Sequence, residues 1–187
     1  MPGRVCALPG ERNRKELKGI EMKAWHFVNE TLRDGRPIPP DGEWLVHDGE
    51  LVMCESGLHA SERILDALIY APGNTICRVE VDGEILHDDD KLVAEKRKIL
   101  WRIEGEQVMR AFARWCALQV VHLWDAPDVV IKYLTTGNEN TRSAARSAAY
   151  AARSAARSAA YAARSAQEKQ FLAMVEEARN GKTEWIF

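Results

Sequence analysis

Residues 75–103, TICRVEVDGEILHDDDKLVAEKRKILWRI, decide how the first half of the chain folds. The run TICRVEVDG is β-branched and alternating and reads as a strand, and KLVAEKRKILWRI reads as the longest strand of the protein. Between them HDDDK, residues 87–91, reads as a solvated acidic turn. It lacks the alternating oxygen ligands and distal glutamate of a calcium loop, and no metal site is expected. In a functional reading, the same turn sets Asp89 or Asp90 at the mouth of a strand.

Upstream, the pattern is short strands broken by turns. KAWHFV and EWLV alternate, RDGRPIPPDG breaks the chain between them, and HDG turns into a further short run, ELVMC. SERILDALIYAPG reads as a helix with Ser61 as N-cap, an apolar face of Ile64, Leu65, Leu68 and Ile69, and a stop at Pro72-Gly73. Residues 1–21 are polar, punctuated by Gly and Pro, and read as a loose extension. Met22 opens the first patterned segment and reads as the true start.

Downstream, the period changes. Val108, Phe112, Trp115, Cys116, Val120 and Leu123 recur at helical spacing, PDVVIKYLTTG reads as a short helix, and EKQFLAMVEEARNG as a last one ending at Gly181. The expected class is therefore α+β. A small mixed-sheet domain with one helix, residues 22–104, precedes a helical region, residues 105–187, that includes a long Ala-rich helix.

That helix is the segment RSAARSAAYAARSAARSAAYAARSA, residues 142–166. Its period is eleven: Arg142, Arg153 and Arg164 form one series, Arg146 and Arg157 a second, Tyr150 and Tyr161 a third. Alanine at this density predicts one helix over 141–166, with Thr141 or Asn140 capping it. At about 100° per residue the five arginines fall within roughly 60° of arc, forming a ridge about 33 Å long opposite an alanine face. Each tyrosine follows an arginine by four positions, so a ring can lie against a guanidinium stem.

Composition bounds the rest. The chain has 187 residues and a formal charge of −2. Its positive charge is concentrated in the repeat, which argues against wholesale coating of nucleic acid. The cysteines (Cys6, Cys54, Cys77, Cys116) show no CxxC and are expected as reduced thiols in a cytosol. No apolar run is long enough for a membrane span, so a cytoplasmic protein is expected. Of the six tryptophans most are expected in the core, with Trp185 a candidate surface anchor.

Four residues are candidates for chemistry. In CESGLHAS, Gly57 permits a sharp turn that sets His59 where a strand end meets a helix; the plainer alternative is that His59 only hydrogen-bonds that turn. His26 lies inside KAWHFV, Tyr70 ends the helix, and Asp90 opens the last strand. His59 and Asp90 are expected at opposite rims of one depression.

Two resemblances follow from these motifs. Residues 23–100, with the Cys-x-x-Gly-Leu-His-Ala-Ser turn, the Val-Glu-x-x-Gly strand and the Asp-Asp-Lys strand start, resemble an uncharacterised domain found mainly in bacteriophage and prophage proteins. That domain is often followed by Ala- or Ser-rich repeats, and the resemblance implies a phage origin. The strand histidine of WHF, the segment GLHASERILDALIY and the carboxylate before KLVAEKRKIL are also similar to the ADP-ribosyltransferase superfamily. This second resemblance implies that His26 and Tyr70 grip the nicotinamide end of NAD and that Asp90, standing where glutamate is usual, holds a ribose hydroxyl.

The expected function is a phage-encoded accessory binding protein in the host cytosol. It engages a host protein, such as a defence component, or nucleic acid through the α+β domain and the arginine ridge, with no cofactor. The alternatives are an NAD-dependent transferase and an oligomeric structural protein packed through its alanine face.

Overall fold

The computed structural model describes residues 22–123, 125–143 and 164–187. Five strands and one helix make up the first of two units, which ends at Ile103. The strands are β1 (Met22–Val28), β2 (Trp44–Val46), β3 (Leu58–Ala60), β4 (Thr75–His87) and β5 (Leu92–Glu104), with α1 (Ile64–Ile69) between β3 and β4.

β4 and β5, 13 residues each, are the long strands expected from residues 75–103. The acidic turn joins them, closed by Asp88 N–H donating to the Lys91 carbonyl at 2.8 Å. The sheet order is β1-β4-β5-β2, and β3 also pairs with β5. β1 runs antiparallel to β4, from Met22 opposite Val81 to Val28 opposite Thr75. β2 and β3 each run antiparallel to a different part of β5. The mixed sheet of the sequence reading is thus antiparallel in these pairs, although each joins strands that are not consecutive in the chain.

The sheet also closes on itself. Trp25 and Ser61 exchange both backbone bonds, at 2.7 and 2.9 Å, which ties β1 to the residue following β3. Ser61 therefore caps no helix; the N-cap of α1 is Arg63, without a side-chain cap bond. Alternation along the paired strands sets Ala24, Val28, Cys77, Val79 and Val81 on one face, where they pack with Ala60, Ile85, Leu92, Ala94 and Ile99 as the core.

α1 packs on β1, but its buried residues are Ile64, Leu65, Asp66 and Ala67, while Ile69 is exposed. Asp66 is tolerated inside because Arg63 Nε donates to its carboxylate at 2.6 Å. ELVMC forms no strand. Val52 and Ser56 bridge across a tight turn, and Cys54 within it adopts φ +69°. The third short strand is instead Leu58–Ala60.

The second unit starts at Glu104. α2 (Glu106–Val120) continues into a 3₁₀ turn, Val121–Leu123, and is followed by α3 (Asp128–Thr136) and α4 (Arg164–Arg179). Phe112 of α2 stacks on Phe171 of α4 at 4.4 Å between centroids, and Met174 and Val175 are buried beside it. Trp185 is buried, 4 % exposed, and is no surface anchor: its indole donates to Glu177 at 2.7 Å and its carbonyl accepts from Arg114 at 3.0 Å.

Residues 139–143 and the start of α4 are helical. The cap before them is Asn138, whose Oδ1 accepts from Asn140 N–H at 3.0 Å. The middle of the expected repeat helix lies outside the described residues, and with it Arg146, Arg153, Arg157, Tyr150 and Tyr161.

Candidate functional site

The site grows from the turn at residues 52–59. Its two abnormal backbone residues are Cys54, at φ +69°, and Gly57, at φ +110°. A Cβ on Gly57 would come within 2.4 Å of Val93 Cγ2 and 2.8 Å of Leu51 Cδ2, so glycine is required for space as well as for φ. His59, two residues later on β3, folds its ring back over the turn. Nε2 accepts from Cys54 N–H at 2.9 Å, and Nδ1 lies 3.2 Å from the Gly57 carbonyl, to which it donates. This pair of bonds specifies the Nδ1–H tautomer, because Nε2 must keep its lone pair. Burial, together with the charges of Arg97, Arg33 and Lys91, holds the ring below its ordinary pKa despite the opposing bond to Gly57. Ser56 of the same turn bonds His47 at 2.9 Å.

The His59 carbonyl carries a second function. It accepts a hydrogen bond from Nη1 of Arg97. Arg97 sits on β5 opposite Leu45 and is 7 % exposed. Among the described residues it has no carboxylate partner, and burial lowers its pKa from the ordinary value to about 10. His26 of β1, opposite Cys77 in the register, is held neutral most strongly by burial and then by the charges of Arg97 and His59. Cys77 is itself a free, buried thiol whose pKa burial pushes up to about 11. Cys116 is the other free thiol among the described residues, and Cys54 is disulfide-bonded, contrary to the expectation of four reduced thiols.

These groups open onto one cleft of about 1010 Å³, lined by His26, Arg97, His59 and Tyr70 together with apolar residues such as Trp25 and Leu45. Three of the four candidate residues therefore meet at a common surface. The fourth, Asp90, does not line it. Its carboxylate accepts from the hydroxyl of the lining residue Tyr70 at 2.7 Å. Lys91 lies over the Tyr70 ring at 4.9 Å.

The cleft differs in charge from the unit that contains it. Residues 22–103 carry ten Lys and Arg against sixteen Asp and Glu, a formal −6. The lining carries four basic side chains (Arg33, Arg36, Lys91, Arg97) against two acidic ones (Asp34, Glu55). Arg36 and Asp34 pair at 2.7 Å and Lys91 lies 3.9 Å from Asp90, which leaves Arg33 and Arg97 as the cations of the lining for which no carboxylate partner is described.

Arg97 is the residue that sequence reading missed. Its signal was present: it stands two positions before Ile99 between two lysines, and a two-residue period sets Arg97 and Ile99 on the same side. Of the proposed binding arginines, Arg142 is described as ion-paired with Glu139 at 3.1 Å, so it is not an unneutralised cation, and Arg164 is exposed. Among the described residues no group of His, Cys, Asp or Glu is arranged to hold a metal ion, and no helix is long and apolar enough to cross a membrane.

Against known proteins, no curated sequence and no solved structure matches the chain. Residues 22–111, which span the sheet, α1, the cleft and the first turns of α2, match one family model, described as a domain of unknown function, DUF7666.

Proposed function

We propose that the protein acts by binding, as an accessory factor of bacteriophage or prophage origin that engages a macromolecule in the host cytosol. The contacts in this reading are the cleft of the α+β unit and the arginine-bearing repeat. The observation that carries the binding reading is the state of His59. A general acid or base needs a lone pair or a proton it can exchange with a ligand, and both ring nitrogens of His59 are bonded to the backbone of their own turn. Its role is to hold the cleft wall in shape.

The test is affinity capture from nuclease-treated bacterial lysate with three proteins: the intact chain, Arg33→Glu at the exposed cleft rim, and a chain lacking residues 138–187. A partner retained by the intact chain and lost from either variant supports the reading. Equal recovery by all three counts against both contact surfaces.

A second reading, NAD-dependent transfer of ADP-ribose, is favoured by a separate observation. His26 and Tyr70 line the same cleft, and Tyr70 donates to Asp90. Labelled NAD incubated with the protein and lysate tests it, with His26→Ala, Tyr70→Ala and Asp90→Ala as controls; label transfer that survives all three removes these residues from the reaction.

A further inference from the structure

We infer that the cleft is a receptor site for an oxyanion carried on an apolar body, with the guanidinium of Arg97 as its anchor. The inference rests on the binding reading above and supplies the chemistry of its ligand.

Arg97 is 7 % exposed as a whole residue, so its guanidinium has lost much of its hydration, and one neutral carbonyl, that of His59, does not replace it. Buried cations are ordinarily paired, because desolvation is otherwise uncompensated. Here the described residues supply no carboxylate, although residues 22–103 have an excess of six acidic side chains from which one could have been placed. In this proposal a bound ligand supplies the offsetting negative charge. Arginine has five N–H donors in a planar fork, of which the His59 carbonyl takes one on Nη1. The fork suits the two oxygens of a carboxylate or phosphate.

The surroundings specify the rest of the ligand. Trp25, Phe27, Leu32, Leu45 and Pro72 line the same cleft, whose volume of about 1010 Å³ far exceeds that of an inorganic ion. The neutral imidazole of His26 can donate to an oxyanion from β1, and Arg33 adds an exposed cation at the rim. The net positive charge of the lining opposes the net negative charge of residues 22–103, which favours an anion at the cleft.

The experiment uses the full chain and titration calorimetry with benzoate, phenyl phosphate, benzyl alcohol and benzylamine. The first two test carboxylate and phosphate as the source of the oxyanion, and the last two carry the same ring without negative charge. One or both anions are expected to bind at least about tenfold more tightly than the alcohol, and Arg97→Met is expected to remove that preference. Without ligand, Arg97→Met should be as stable as the natural chain or more so, because it removes an uncompensated buried charge.

A readout independent of any variant is the C2–H resonance of His26. Arg97 from β5, His59 from β3 and Cys77 from β4 face this ring, and a bound anion that offsets Arg97 should move its titration to higher pH. Binding of the alcohol as tight as that of the anions, anion binding unchanged in Arg97→Met, or an Arg97→Met protein less stable than the natural chain overturns the anion assignment while leaving the cleft as a binding site. Failure of all four probes to bind at millimolar concentration overturns the assignment and removes the support for the cleft itself.

Discussion

Mild acid should destabilise the α+β unit, and the size of the effect follows from two imidazoles. His26 is kept neutral chiefly by burial and then by Arg97 and His59. His59 is kept neutral by burial and by Arg97, Arg33 and Lys91, against the bond to Gly57. Both folded-state values lie below the ordinary one, so above about pH 6.5 neither state binds the proton and these groups contribute no slope. Below it the unfolded chain takes up protons that the folded chain refuses. Stability then falls as pH falls, by up to about 1.4 kcal/mol per unit for each group, until its folded-state pKa is reached. From about pH 6.5 to 5.5 the pair can remove at most about 2 kcal/mol, with His59, the more solvent-screened of the two, contributing the smaller part. Asp34 and Glu177 are shifted downward by their Arg36 and Lys182 partners, so any loss from them lies at lower pH, outside this window. The assay is urea unfolding at several pH values, with NMR titration of the imidazole C2–H protons reporting each ring directly. His26→Phe should remove the larger part of the slope. A stability that does not change between pH 6.5 and 5.5, or C2–H resonances that titrate at the ordinary value, refutes the account.

Gly57→Ala should destabilise the first unit by about 2–5 kcal/mol, combining an unfavourable positive φ with a Cβ forced against Val93 and Leu51; a loss under about 1 kcal/mol in urea would mean the turn relaxes freely. In the second unit, Gly137→Ala is expected to cost about 1–3 kcal/mol, because φ is +69° and the new Cβ would lie 2.7 Å from Cζ of Arg114, the side chain that also holds the Trp185 carbonyl; amide exchange near Trp185 should rise accordingly. Cys77 and Cys116, whose pKa burial raises to about 11, should resist maleimide at neutral pH in the folded protein and react on unfolding; rapid labelling of the native chain would contradict their environment.

How much of this was legible beforehand can be followed residue by residue. The alternation of β-branched residues in residues 75–103 marked β4 and β5, and the spacing of Val108 and Phe112 marked α2, because these signals arise from a segment's own side chains meeting one apolar surface. The division into a sheet unit and a helical unit was readable for the same reason. Three of the four residues chosen for chemistry meet at the cleft: Tyr70 follows the end of α1, His59 follows the turn, and His26 lies inside β1.

What the sequence left open depended on partners far along the chain. Ser61 had the chemistry of a cap, but Trp25, 36 positions earlier, recruits its backbone into the sheet. ELVMC had strand composition, yet the ring of His59 fixes Cys54 in a turn. Trp185 looked available until Arg114, 71 residues away, took its carbonyl. Arg97 is the sharpest case: alternation set it on the side of Ile99, but its pairing with Leu45 and its bond to His59 38 residues upstream arise only on sheet closure. Local pattern determines which face a side chain takes, since that follows from the backbone period. What waits on that face is set by long-range pairing, and here it turned an ordinary arginine into a buried charge with no carboxylate partner among the described residues.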